Sequence, residues 1–167
     1  MPNSNNSTFP ILGKEISFNL EQFFQLTPDV VCIADYKGVL KKVNPALSKL
    51  LGYSMEELLN SPVSNFIYPE DKLNTARFRD NLRDKNPVLN FENRYLTKNG
   101  DIIWLSWTSI SEPENLLIYA IAKDITHVKK LEEERNLLLI DLAKLNADLK
   151  KFTYTTSHDL RSPVNNL

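Results

Sequence analysis

The sequence predicts an α+β domain, a five-stranded antiparallel sheet with short helices, followed by a long coiled-coil helix. The order of segments predicts the domain, because two short β-prone segments precede several helical segments and three longer β-prone segments follow them. The apolar period predicts the helix, because after Asp124 it changes to a sustained heptad repeat.

The strands are predicted from β-branched and aromatic residues that lie between turn signals. A tight turn at Gly38 joins the first two strands, and Asn99-Gly100, the strongest short hairpin signal, joins the third and fourth. The five predicted strands cover residues 30–35, 39–43, 88–97, 102–109 and 116–123.

Helix signals fill the region between the second and third strands. Asn44 is a suitable N-cap with Pro45 in the first turn, and Gly52 is the usual C-terminal stop. Ser54 begins a second short helix with a capping-box pattern, and a third helical stretch begins at Pro69.

The N-terminal part of the chain divides by composition into a tail and a helix. Residues 1–16 are rich in Asn, Ser and Pro, and we expect a disordered tail there. The apolar residues of segment 17–26 have the spacing of a short amphipathic helix that covers an apolar surface. We therefore expect one domain over residues 17–126.

The heptad repeat predicts a parallel homodimer. A single helix would leave its apolar seam in water, and pairing with a second copy would bury it, although one amphipathic helix lying on its own domain is the alternative. We expect residues 127–151 to form a coiled-coil signalling helix and the dimer contact to cover residues 128–156. The seam consists of Val128, Leu131, Arg135, Leu138, Leu142, Leu145, Leu149, Phe152 and Thr156.

Composition and charge exclude several classes of function. The net charge of -1 gives no reason to expect nucleic acid or a membrane surface as a partner. The longest apolar run, residues 116–122, is far shorter than the roughly 20 residues of a membrane helix. The single cysteine, Cys32, excludes an internal disulfide and fits a reducing compartment, so we expect a cytoplasmic location.

The two histidines have different surroundings. His127 lies at the start of the long helix without other metal ligands, so we expect it to be solvated and predict no metal site. At about 100° per residue, His158 falls opposite the stripe formed by Phe152, Thr156 and Leu160. An exposed neutral imidazole is a competent nucleophile toward a phosphoryl group.

Five motifs occur in an order and spacing that resemble the PAS family. They lie at residues 44–46, 51–54, 68–71, 98–104 and 124–126. The resemblance covers about residues 20–127 and implies a domain for sensing or docking. It does not imply a particular ligand, because PAS domains resemble one another in fold more than in what they bind. The last motif is the only connection from the sheet to the long helix, so we expect signals to pass through it.

The sequence indicates no particular ligand for the domain, and no cofactor is evident in the chain. Flavin-reactive relatives use a cysteine in a helical segment, whereas Cys32 lies in a predicted strand and is interpreted as a small buried apolar residue. Haem-binding relatives use a helix histidine, and residues 20–126 contain none. Trp104 and Trp107 are interpreted as packing residues, with the lining of a small-molecule pocket as the alternative.

Residues 152–163 resemble the H-box of histidine kinases. The resemblance implies that His158 is the phosphoacceptor, and Asp159 beside it is placed to orient the imidazole. The family often has Thr or Asn four residues after the phosphohistidine, where it positions water for dephosphorylation of the partner. Ser162 stands at that position, so it retains a hydroxyl but departs from the pattern. We expect residues 152–167 to begin the dimerisation and phosphotransfer helix.

Together, the resemblances imply the input and phosphoacceptor segment of a two-component sensor histidine kinase. A separate domain that holds ATP and Mg²⁺ would phosphorylate His158, and a response regulator protein would accept the phosphoryl group on an aspartate. The four glycines form no phosphate-binding cluster, so we expect the chain alone to be inactive as a kinase. The alternative is a non-catalytic PAS ligand-binding and dimerisation module with another output, which does not require an exposed histidine at position 158.

Overall fold

The structure, a computed structural model, describes residues 6–11, 14–82 and 87–161. The chain divides into two units between Thr126 and His127. The first unit contains the sheets and short helices, and the second contains the long helix beyond its first residue.

Residues 6–11 and 14–19 form a two-stranded antiparallel sheet, where the sequence predicts a disordered tail over residues 1–16 and a helix that begins at residue 17. Strand β1 (Asn6–Ile11) pairs with β2 (Lys14–Asn19). The difference arises because β-prone residues alternate within this Asn-rich segment, and pairing satisfies the backbone groups of both strands. Helix α1 (Leu20–Leu26) starts where β2 ends, because Asn19 Oδ1 accepts a hydrogen bond from the Gln22 backbone N at 3.1 Å and caps the helix.

The main sheet has five antiparallel strands, which confirms the predicted fold class. The spatial order is β4-β3-β7-β6-β5, so the first and last strands along the chain meet in the middle of the sheet. The strands are β3 (Val30–Asp35), β4 (Leu40–Val43), β5 (Val88–Leu96), β6 (Ile102–Glu112) and β7 (Leu117–Asp124).

Short helices lie between β4 and β5, as the capping signals predict. Gly52 ends α2 in the left-handed conformation, with φ of 77°. Ser54 and Glu57 form both hydrogen bonds of a capping box at the start of α3. The helices are α2 (Pro45–Leu51), α3 (Met55–Leu58), two 3₁₀ turns at Val63–Asn65 and Pro69–Asp71, and α4 (Lys72–Asn81).

The hydrophobic core lies between one face of the sheet and these helices. The most deeply buried apolar side chains, each at most 2% exposed, are Val30, Leu40, Val43, Leu47, Leu51, Leu58, Ile67, Leu105 and Ala122. On β7 the side chains alternate, so that Ile118 and Ala120 are buried while Tyr119 and Ile121 are 40% and 48% exposed. This period of two is the pattern expected of a sheet packed on one face.

Asn44 occupies the N-cap position of α2, but its side chain does not cap the helix. The side chain is fully buried and makes no cap hydrogen bond. Instead, Oδ1 accepts a hydrogen bond from the Val31 backbone N at 3.0 Å, and Nδ2 donates to the Asp29 carbonyl at 2.8 Å. Asn44 therefore joins the start of β3 to the start of α2, because its amide supplies both a donor and an acceptor.

Helix α5 (Thr126–Arg161) is continuous over 36 residues, as the absence of Gly and Pro predicts. It is about 54 Å long at the usual rise of about 1.5 Å per residue. In the described part of the chain, no helix combines the length and the apolar character that crossing a membrane would require.

Candidate functional site

A cavity of about 90 Å³ lies inside the domain, between the sheet and α4. Most of its lining is apolar or aromatic. Phe78 and Phe91 pack with ring centroids 3.9 Å apart, and Tyr95 and Trp107 with centroids 5.7 Å apart. Among the described residues, Arg79 is the only charged residue in the lining. The composition is that of a small-molecule pocket, apolar with a few polar groups that fix orientation.

A chain of buried and partly buried hydrogen bonds holds one wall of the cavity in place. Trp107 Nε1 donates to Asn93 Oδ1 at 2.9 Å, and Asn93 Nδ2 donates to Thr75 Oγ1 at 2.9 Å. Thr75 Oγ1 in turn donates to the Asp71 carbonyl at 2.8 Å. Asn93 is 2% exposed, so its amide is satisfied by the protein rather than by water. The chain of bonds ties α4 to β5 and β6.

An ion pair between Asp71 and Arg94 holds the start of α4 against β5. Asp71 accepts from the Arg94 guanidinium at 2.7 Å and from the Arg94 backbone N, also at 2.7 Å. Arg94 also stacks over the ring of Tyr68, with Cζ 4.3 Å from the ring centroid. The hydrogen-bonded guanidinium holds the pKa of the Asp71 carboxyl below its usual value.

This ion pair leads to a prediction for the pH dependence of stability. The folded pKa of Asp71 is lower than the unfolded value of about 3.9, so its charge stabilises the fold above about pH 5. That contribution is lost as the pH falls below about 4, through the folded pKa. We expect Asp71→Asn to lower the free energy of unfolding by about 1–2 kcal/mol at pH 6 and by less at pH 3, as measured by urea unfolding. An equal difference at the two pH values would contradict this account.

The structure resolves the interpretations of Cys32 and of the two tryptophans. Cys32 is 4% exposed on β3 and lines the cavity, and burial raises the pKa of its thiol to about 12. It is therefore a neutral apolar side chain, as predicted. Trp107 both packs in the core and lines the cavity, whereas Trp104 is absent from the lining and lies against Arg94.

The long helix carries its predicted apolar seam on an exposed surface. The apolar seam residues Val128, Leu131, Leu138, Leu142, Leu145, Leu149 and Phe152 are each between 51% and 69% exposed. Leu137, Leu139 and Ile140 are exposed as well, and they lie outside the seam. The second unit thus presents an apolar stripe along the helix, interrupted by Arg135.

His158 and Asp159 lie on the last turns of the described helix. Their side chains are 73% and 74% exposed, and His158 Nδ1 lies 3.6 Å from Asp159 Oδ1. That separation is longer than a hydrogen bond, so the orienting role of Asp159 stays a prediction. Phe152 and Leu160 are 68% and 69% exposed. Ser162 lies outside the described residues.

Thr126 is the first helical residue of the long helix, and its side chain bonds back to the sheet. Its Oγ1 accepts a hydrogen bond from the Trp104 backbone N at 2.9 Å, and the next bond in line runs from the Ile125 backbone N to the Trp104 carbonyl at 2.9 Å. Asp124 Oδ1 accepts from the Thr126 backbone N at 2.9 Å. The motif at residues 124–126 therefore extends the pairing with β6 by one side-chain hydrogen bond.

Thr126→Val is expected to lower the free energy of unfolding by about 1–2 kcal/mol, because it leaves the Trp104 N–H without its acceptor. Thr126→Ser keeps the hydroxyl and should cost less than half as much. Chemical denaturation followed by the fluorescence of the two tryptophans measures both variants. Equal losses for Val and Ser would show that the hydroxyl does not contribute.

Several residues of the cavity have no distinct signal in the sequence. Asn93 is the exception, because it lies on the inward phase of β5 between Phe91 and Tyr95, where an apolar residue is expected. Thr75 and Arg79 follow no pattern that separates them from the exposed polar residues of the same helix.

In the part of the chain that the structure describes, no group of three or more His, Cys, Asp and Glu side chains is arranged to hold a metal ion.

Comparison with known proteins identifies a matching family and solved structures with a similar fold. Residues 28–127 match the family model described as PAS domain. A domain of a sensory box sensor histidine kinase/response regulator from Geobacter sulfurreducens is 25% identical with a TM-score of 0.56, over 62% of this chain and 90% of that chain. The PAS domain of a Colwellia psychrerythraea protein is also 25% identical, with a TM-score of 0.58, over 64% of this chain and 94% of that chain.

A third structure is similar in fold alone. The PAS domain of a quorum-sensing receptor from Cronobacter turicensis, solved in complex with BDSF, is 18% identical with a TM-score of 0.53, over 60% of this chain and 96% of that chain. A search of curated proteins gave no significant match. The family match over residues 28–127, together with the sheet order and the helices between β4 and β5, shows that this chain belongs to the PAS-domain family.

Proposed function

We propose that this chain is the sensory input and phosphoacceptor segment of a histidine kinase in two-component signal transduction. The observation that carries the proposal is the exposed imidazole of His158, 73% accessible, in an H-box-like segment on the helix that follows the PAS domain. The similarity to a domain of a sensor histidine kinase supports the same class of protein.

The proposed chemistry requires little of this chain beyond a well-placed nitrogen. Nδ1 of His158 faces Asp159, which leaves Nε2 to attack the γ-phosphorus of ATP. The bond from that phosphorus to the bridging oxygen breaks and ADP leaves, with Mg²⁺ and the separate ATP-binding domain stabilising its charge. An aspartate of the response regulator then attacks the phosphorus and releases the imidazole.

The input would be a small molecule in the core cavity. The lining supports this proposal, because an apolar pocket with few polar groups suits a compact organic ligand. A PAS domain of the same fold has been solved with BDSF bound. Binding would bias the arrangement of α4 and the sheet, and residues 124–126 would pass the change to the long helix.

The active form would be a parallel homodimer through residues 128–156, because the exposed seam has the period of a coiled coil. Leu142→Asp places a charge in the middle of this seam and is expected to dissociate the dimer, as measured by sedimentation equilibrium at micromolar concentration. Leu137→Asp is the matched control, since Leu137 is similarly exposed but lies off the seam. Arg135→Leu should tighten the dimer. A wild-type chain that sediments as a monomer would contradict the proposal.

The second candidate function is a non-catalytic PAS module that binds a ligand and dimerises, with an output other than phosphotransfer. This candidate is supported by the fact that PAS domains with the same fold serve different outputs. It needs the cavity and the seam, but not the imidazole of His158.

Phosphorylation distinguishes the two candidates. The chain is incubated with labelled ATP and Mg²⁺, first alone and then with the isolated ATP-binding domain of its cognate histidine kinase. We expect no label on the chain alone, and label that is stable in base and labile in acid when the domain is added. Subsequent addition of a response regulator receiver domain should move the label to that protein. Label on the chain alone would contradict the proposal that a separate domain binds ATP and phosphorylates His158. The absence of transferable label would favour the non-catalytic module.

A further inference from the structure

The cavity lining contains one cation that the rest of the pocket does not explain. Arg79 lies on α4, one turn after Thr75, and contributes to a lining that is otherwise apolar or neutral. Its Nε is buried and has no hydrogen-bond partner among the described residues. Burying a charged donor without a partner is costly, so an orphaned donor of this kind indicates an acceptor from outside the chain.

The backbone holds the guanidinium of Arg79 at this place. Gly38, in the turn between β3 and β4, has φ of +82°, and a Cβ added there would lie 2.3 Å from Arg79 Nη1. A glycine at this turn therefore both permits the backbone conformation and leaves room for the guanidinium against it. The cation is positioned by the turn rather than extended freely into solvent.

We propose that the cavity binds a small monocarboxylate, with its carboxylate on Arg79 and its apolar tail among Phe78, Phe91 and Ile118. The proposal rests on the proposed sensing function and names its ligand class. The planar guanidinium matches the geometry of a carboxylate and binds it through paired hydrogen bonds.

The charges of the lining select among ligand classes. A cationic ligand would find no carboxylate side chain among the described lining residues, and a dicarboxylate would find no second cation. A neutral alcohol would leave the guanidinium without a counter-charge. The volume sets the length of the tail, because a cavity of about 150 Å³ holds the six carbons of benzene. By that measure the 90 Å³ here holds a tail of about three or four carbons.

The proposal is tested by calorimetric titration of the full chain at neutral pH with four probes: butyrate, 1-butanol, butylamine and succinate. We expect butyrate to bind about tenfold or more tightly than each of the other three, because only butyrate offers a single carboxylate and an apolar tail. Arg79→Met should weaken butyrate binding by about tenfold or more and leave 1-butanol binding unchanged. Arg77→Met is the matched control, since Arg77 is exposed on the same helix, and should bind butyrate as the wild type does.

Three results would overturn the inference: equal affinity of the wild type for butyrate and 1-butanol, no butyrate binding by a folded wild type, or unchanged butyrate binding in Arg79→Met. The affinities of the wild type for the four probes test the proposal even if Arg79→Met does not fold. Failure here is separable from failure of the proposed function. Binding of 1-butanol without a preference for butyrate removes only the ligand class, whereas the label on His158 tests phosphotransfer independently of any ligand.

Discussion

His158→Gln is expected to reduce the transferable label to background when the chain is incubated with ATP, Mg²⁺ and an isolated ATP-binding domain. Glutamine keeps a polar side chain of similar reach at this exposed position, but its amide nitrogen is not a nucleophile. The fold should be unaffected, because the side chain is 73% exposed and lies outside the core. Loss of label would therefore report the chemistry of the imidazole rather than a loss of structure.

His127→Gln is the matched control, because His127 is the other exposed histidine of the same helix. It should retain the full label. Asp159→Asn tests the orienting role separately, and we expect the initial rate of labelling to fall by about tenfold or more if the carboxylate holds the ring. A His158→Gln chain that still accepts base-stable label would mean that another residue is the acceptor.

Asn44→Ser is expected to lower the free energy of unfolding by about 2–4 kcal/mol. The serine hydroxyl is too short to accept from Val31 N and donate to the Asp29 carbonyl in place of the amide, so at least one buried backbone group loses its partner. The buried volume left by the smaller side chain adds to the cost. This is among the largest effects expected from a single polar substitution in this domain.

The same substitution separates two roles of Asn44. If Asn44 acted mainly as the N-cap of α2, Ser would be a good replacement and would cost only a few tenths of a kcal/mol. Urea unfolding of Asn44→Ser, with Asn74→Ala as a surface control within about 0.5 kcal/mol of wild type, measures the difference. A loss below about 1 kcal/mol for Asn44→Ser would restore the capping role.

Much of the fold follows from patterns that are local in sequence. The capping box at Ser54, the glycine stop at Gly52 and the unbroken helix α5 depend on residues within one or two turns of one another. Each was predicted because short-range hydrogen bonding and backbone sterics decide it. The heptad seam belongs to the same class, because its period is a property of one helix, although its partner stays a prediction.

Local patterns failed where pairing or bulges change the environment. Residues 6–11 and 14–19 form paired strands, although the Asn, Ser and Pro content of residues 1–16 suggested a tail and residues 17–19 were expected to begin a helix. Leu89 shares the alternation phase of Phe91 and Tyr95 in the sequence of β5, yet it is 65% exposed, because the register shifts between Val88 and Phe91. A bulge inserts one unpaired residue and reverses which face a side chain takes, and no period of two can show that in advance.

The sequence by itself determined the family, the α+β class, the helix that follows the domain and the candidate role of His158. Only the tertiary structure decided which groups surround Asn44, Asn93, Thr126 and Arg79. Three of them have hydrogen-bond partners that are distant in the sequence. Asn44 is bonded to Val31, Asn93 to Trp107, and Thr126 to Trp104. Arg79 meets Gly38 only because α4 packs over the turn between β3 and β4. A polar side chain in a buried site is defined by the groups that surround it, and the fold brings those groups together from separate segments.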